Sequence, residues 1–196
     1  MTRTSMALLV GLAVVIAAVS FLVFSPLLAL LSCALGWTML AIAVADARWF
    51  IVPDVLSLPA IPAGLLAAPL LDESRAPSVL MLEHAGAAFL GAVALYAIRQ
   101  LYYALRGREG LGLGDVKLAA VAGAWTGLAG LGHVLLFACV LAIGAVLITH
   151  VRRFSVLRGS TAIAFGVFLA PSIWLVWCLG ALGVEASGFW VPAPPL

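Results

Sequence analysis

Charge is what this sequence has least of. Ten basic and eight acidic residues are spread over 196 positions, 9% of the chain against 65% hydrophobic, and the mean hydropathy is +1.24. An ordinary soluble domain is excluded, which leaves an integral membrane protein embedded in a lipid bilayer. The formal net charge of +2 names no partner, and no nucleic-acid partner is expected. Cysteines are few as well. Cys33, Cys139 and Cys178 lie far apart inside apolar stretches, with no C-x-x-C pair, so neither a zinc ribbon nor a disulfide framework is supported. His84, His133 and His150 fall on separate segments without metal-ligand spacing, so no metal and no cofactor are expected. No Ser/His/Asp grouping can be placed on one face, and neither an internal repeat nor a low-complexity region is visible.

What the chain does have is apolar length. Stretches bounded by charges or turn residues give seven expected spans: about 6–24, 27–45, 55–71, 79–100, 116–130, 132–150 and 160–183. The opening run feeds straight into a second span and reads as a span rather than a signal peptide. Two of the breaks, at Ser25-Pro26 and between Gly127 and Gly132, are weak, because proline and glycine are tolerated within membrane helices. Charge supports keeping all seven. One side then receives Arg3, Arg48, Arg106, Arg108, Lys117, Arg152, Arg153 and Arg158, with Arg99 snorkelling to it; the other receives Arg75 beside Asp72, Glu73 and Glu185. Such asymmetry puts the N-terminus in the cytoplasm and the C-terminus outside. The fold class expected is all-α, a polytopic transmembrane bundle. The tail 189–196 reads as an interfacial aromatic anchor with a proline-rich end.

The same topology brings Asp46, Asp54 and Asp115 to the cytoplasmic face. An acidic group within a bilayer costs about 2.5–3.5 kcal/mol at the centre and less near the interface, so such groups point to function. Asp115 closes the run Gly110-Leu-Gly-Leu-Gly-Asp115 and opens an apolar segment. Glycines there permit tight backbone angles and close approach of another chain. The run fits no phosphate-loop pattern. At a helix N-terminus the unpaired N–H groups and the dipole favour the Asp115 anion; the plain alternative is an ordinary helix cap. Asp46 ends an apolar run two residues before Arg48, and the plain alternative is an interfacial residue loosely paired with that arginine. Asp54 follows Pro53 and suits an N-cap. Glu83 and His84 lie towards the outer end, and Trp125, Trp174 and Trp177 read as packing or belt residues.

Taken together, Asp46 and Asp115 suggest more than either alone. An aspartyl protease needs one carboxylate to take a proton from water and one protonated carboxyl to polarise the scissile carbonyl. Two close carboxylates share a proton, because like charges in proximity do not both ionise cheaply. The helix-end argument makes Asp115 the base and Asp46 the acid. A small ion- or proton-coupled transporter subunit, or a non-catalytic assembly protein, stays open as an alternative.

From about residue 30 to 180 the sequence resembles the type IV prepilin peptidases, membrane aspartyl proteases of the GxGD type. Asp46 with Pro53 seven positions later matches the first motif, and Gly112-Leu113-Gly114-Asp115 with Lys117-Leu118 the second. Gly123-Ala124-Trp125 and the run 163–170 resemble later signatures, with Ala164 and Val167 standing where prolines are common. The resemblance implies a single integral-membrane peptidase domain over residues 1–196 in a bacterial inner membrane. Asp46 and Asp115 would be catalytic, with Gly112, Gly114 and Pro53 shaping the site. The implied substrate is a prepilin or pseudopilin, cut at the cytoplasmic face after a basic leader. Bifunctional members carry a cytoplasmic insert with paired C-x-x-C motifs; this chain has none, and the resemblance does not carry methyltransferase activity over to it.

Overall fold

The computed structural model describes residues 3–71, 75–153 and 164–183. They form six helices: α1 (Arg3–Val23), α2 (Pro26–Trp49), α3 (Asp54–Leu71), α4 (Pro77–Arg106), α5 (Leu113–Arg153) and α6 (Gly166–Ala181). Among the described residues there is no strand. Proline opens α2 and α4, where its missing N–H is not needed by the helix. Four runs are long and apolar enough to cross a bilayer, namely Met6–Val23, Pro26–Trp49, Pro77–Arg106 and Leu113–Thr149. Asp54–Leu70 and Gly166–Ala181 are apolar but shorter. The chain is a multi-pass membrane protein.

Against the seven expected spans, six helices are present, because α5 runs through both the fifth and the sixth. Its 41 residues would extend about 60 Å if straight, twice the thickness of a hydrocarbon core. The backbone breaks at Gly127, where φ 65° and ψ −173° define a conformation open essentially to glycine alone. His84 Nδ1 donates to the Ala124 carbonyl at 2.9 Å just before the break, offering a donor where the helical ladder is interrupted. α2 and α4 also run further than expected, to Trp49 and Arg106. Asp46 is therefore inside the last turn of α2, since a lone charge does not stop a helix. The expected tail at 189–196, the start of the last span at 160–163, Asp72, Glu73, Arg158, Glu185 and the His150 side chain lie outside the described residues.

α5 is the hub, packed against α3, α4 and α6, while α2 touches α1, α3 and α6. Small residues set the spacing between α4 and α5. Gly123 lies against the backbone of Ala87 and Ala88, and Gly91 faces the Ala119 carbonyl. Polar groups fasten the other helices. Ser20 of α1 and Ser32 of α2 share a hydroxyl hydrogen bond at 2.7 Å, and Trp174 Nε1 of α6 donates to Ser32 Oγ at 3.1 Å. Trp125 of α5 donates to the Ala60 carbonyl of α3 at 2.8 Å, in a helix interrupted by Pro59, Pro62 and Pro69. These tryptophans are structural. Cys33 and Cys178 are buried and Cys139 is exposed. Leu22 and Val55, 86% and 83% exposed, typify the apolar outer surface that lipid would cover.

A Cβ at Gly123 would stand 2.4 Å from the Ala87 carbonyl carbon and oxygen. Gly123→Ala should therefore push α4 from α5 and destabilise the bundle by about 1–3 kcal/mol. A lowered thermal midpoint in detergent is the expected reading, and an unchanged midpoint would contradict this packing.

Candidate active site

Asp46 and Asp115 line one cavity of about 240 Å³, together with Asp54, Lys117, the turn Phe50–Val52 and the loop Gly112–Gly114. Both aspartates are buried, at 6% and 7% exposure, and their charges are close enough to act on one another. The two residues are 69 positions apart in the chain, Asp46 on α2 and Asp115 on α5.

Local sequence explains how each is presented. α5 begins at Leu113, so Asp115 is its third residue and Gly112 its N-cap. Asp115 Oδ2 accepts the Gly112 N–H at 3.3 Å, the backward half of a capping box. Asp46 sits in the last turn of α2, and its carbonyl accepts the Phe50 N–H at 2.9 Å. Phe50, at φ 54° and ψ 35°, is the one non-glycine residue with positive φ among the described residues. A bulky side chain in that conformation costs about 1–3 kcal/mol. The left-handed step turns the chain sharply, so that Val52 drops onto the glycine loop.

The two loop glycines differ in what they do. A Cβ on Gly114 would meet Val52 Cγ2 at 2.6 Å and Cβ at 2.8 Å, whereas one on Gly112 would meet Asp115 Oδ2 at an ordinary 3.4 Å. Gly114 is needed for close approach; Gly112 contributes its N–H. Pro53 does not line the cavity but ends the turn, its carbonyl accepting from the Ser57 N–H at 3.0 Å. The sequence places Asp54 as a cap of α3. It is instead the first helical residue, and its carboxylate pairs with Lys117 across the mouth of the cavity. That pair ties α3 to α5 beside the two buried acids.

One partner was missed altogether in the sequence. The first turn of α6 meets the Asp46 carboxylate, with the Val167 N–H donating to Oδ2 at 3.0 Å and the Gly166 amide also serving it. Both aspartates therefore accept from a helix N-terminus, and that feature alone does not distinguish acid from base. Gly166 lies within the run 163–170, and a glycine opening the last apolar helix is the signal in the sequence that points to this contact. Glu83 pairs with Arg75, and His84 supports the α5 break, so neither belongs to this cavity. No cluster of three or more His, Cys, Asp or Glu that could hold a metal occurs among the described residues.

A family profile described as the type IV leader peptidase family matches residues 33–148, which include both aspartates and the glycine loop. The chain belongs to the type IV leader peptidase family. Similar curated proteins are named prepilin leader peptidase/N-methyltransferase. That of Stutzerimonas stutzeri is 34% identical over 145 residues, 73% of this chain and 48% of the relative. That of Pseudomonas aeruginosa is 34% identical over 141 residues, 72% and 46% respectively. That of Dickeya chrysanthemi is 37% identical over 168 residues, 83% and 53%. The chain spans about half the length of the curated relatives it matches. No solved structure matches it significantly.

In this leader peptidase family member the loop glycines should respond unequally to substitution. Gly114→Ala is expected to lower the thermal midpoint in detergent by the equivalent of about 1–3 kcal/mol, because Val52 has nowhere to go. Gly112→Ala should stay within about 1 kcal/mol of wild type. Equal effects would contradict the geometry of the loop.

Proposed function

We propose that this chain is a membrane aspartic endopeptidase that removes the leader of a prepilin or pseudopilin at the cytoplasmic face of a bacterial inner membrane. One observation carries the reading: two buried carboxyl groups from distant helices line a single small cavity. Family membership supports the substrate class, since the matched relatives are named for prepilin leaders.

The chemistry asks little beyond these groups. The ionised carboxylate takes a proton from a water held between the pair, and the water oxygen attacks the scissile carbonyl carbon. The protonated carboxyl donates to the carbonyl oxygen as negative charge develops there. Collapse of the tetrahedral intermediate breaks the C–N bond, and the amine leaves with a proton returned through the pair. Asp46 and Asp115 act as a unit, and neither owns one role permanently.

The topology that goes with this reading has seven membrane segments, the break at Gly127 dividing α5 into two of them. The N-terminus is then cytoplasmic and the C-terminus external. On that topology Arg48, Lys117 and the Arg99–Glu109 pair would face the cytoplasm, as the concentration of basic residues requires, and Lys117 lines the cavity itself. A basic leader would reach the acids from that side, while the apolar helix behind it stays in the bilayer.

Coexpression with a prepilin tests the proposal. Wild type should shorten the substrate by its leader, and Asp46→Asn and Asp115→Asn should each abolish shortening while expression and membrane insertion stay intact. Asp54→Asn should keep most activity, because it only loosens an exposed ion pair worth less than about 1 kcal/mol. Unchanged substrate length with wild type would favour a transport or assembly role. A dead Asp54→Asn beside a working Asp46→Asn would mean that the wrong acid had been paired with Asp115.

A further inference from the structure

Asp46 stands in an unfavourable place for an anion. It lies in the last turn of α2, where the unpaired carbonyls and the negative end of the dipole oppose negative charge. It is buried there, next to the fully buried Leu118 of α5. The group needs donors from elsewhere, and they come from the first turn of α6, whose N–H groups and dipole have the opposite sign.

That turn reaches the carboxylate only because residue 166 has no side chain. A Cβ on Gly166 would stand 2.7 Å from Asp46 Oδ2, 3.0 Å from its Cγ and 3.3 Å from Leu118 Cδ1. With Leu118 packed in the core on one side, the carboxyl group or the whole first turn of α6 would have to move. Either displacement moves the carboxylate relative to the Val167 N–H that it accepts from. Neither backbone angle explains the glycine, since Gly166 is not among the residues with positive φ; the reason is room.

We propose that Gly166 is a positioning residue, a bare seat that lets the first turn of α6 hold the Asp46 carboxylate in register with Asp115. The proposal rests on reading Asp46 as half of the catalytic pair. It gives α6 a part in the reaction that neither aspartate motif contains, through the local contact of its first turn with the carboxylate.

Gly36 supplies the control. It lies on α2 facing α1 and α6, where a Cβ would meet Ile16 Cγ2 at 2.6 Å and Trp174 Nε1 at 2.9 Å. Gly36→Ala therefore strains the same helices without touching a carboxylate. Purified wild type, Gly166→Ala and Gly36→Ala should be compared in detergent by cleavage of a prepilin peptide, by thermal midpoint and by the ¹⁵N–¹H resonance of Val167. Gly166→Ala should lower kcat about 100-fold, as a misplacement of about 1 Å can, with KM and midpoint near wild type. Gly36→Ala should lower the midpoint while the folded fraction keeps its kcat. On Gly166→Ala the Val167 amide proton should move upfield, as a weakened bond to the carboxylate requires and by more than a glycine-to-alanine change in the preceding residue brings by itself, and on Gly36→Ala it should stay in place. That shift is readable whether or not the chain cleaves anything, so a silent wild type with a shifted amide would end the protease reading and leave the seat intact. A Gly166→Ala variant with wild-type kcat, one whose loss merely tracks its folded fraction, or an unmoved Val167 amide would overturn the proposal.

Discussion

Two carboxyl groups buried within an apolar helix bundle need hydrogen-bond donors, and meeting that need organises the rest of the molecule. Leaving such a group without partners costs several kcal/mol, more than any single surface contact returns. Here the donors are main-chain N–H groups at the openings of two helices. α5 bends its glycine loop back so that Gly112 serves Asp115, and α6 brings Val167 to Asp46. Each arrangement requires the backbone to come nearer than a side chain would allow, at Gly114 against Val52 and at Gly166 against Asp46. The bundle around them is set by the same device, with Gly91 and Gly123 bringing α4 onto α5.

The acids themselves were legible in the sequence because charge is so scarce in it. Against an apolar background Asp46 and Asp115 stand out, and the signs of their neighbours assign both to one face. The glycine loop was legible too, since glycines before an aspartate and an apolar run mark a tight turn into a helix. Helix existence followed from apolar length alone. What the local pattern does not carry is anything made by tertiary approach. The bond from Val167 to Asp46 joins residues 121 positions apart, and the pairing of Asp54 with Lys117 joins residues 63 apart. No periodicity encodes either.

Two local features were also hidden, for different reasons. The left-handed Phe50 has no sequence signature, because a phenylalanine is among the last residues expected there. It persists because Val52, on its C-terminal side, is locked into the core against Gly114. The break in α5 was visible only as a cluster of glycines between 127 and 132, any of which a membrane helix would tolerate. Gly127 is the one that opens the backbone, and His84 from α4 supports the interrupted end. Sequence pattern located the break within a few residues, and packing chose the residue.

Everything turns on whether residues 46 and 115 share a site. Asp46→Cys and Asp115→Cys, introduced together after replacing Cys33, Cys139 and Cys178, can be challenged in native membranes with a short bifunctional thiol reagent. A rapid intramolecular link is predicted, with none between Asp115→Cys and Glu83→Cys, which belongs to the other end of α4 away from the cavity. Failure of the first pair to link while both cysteines still react singly would place the two acids in separate environments, and the shared-site account would be wrong.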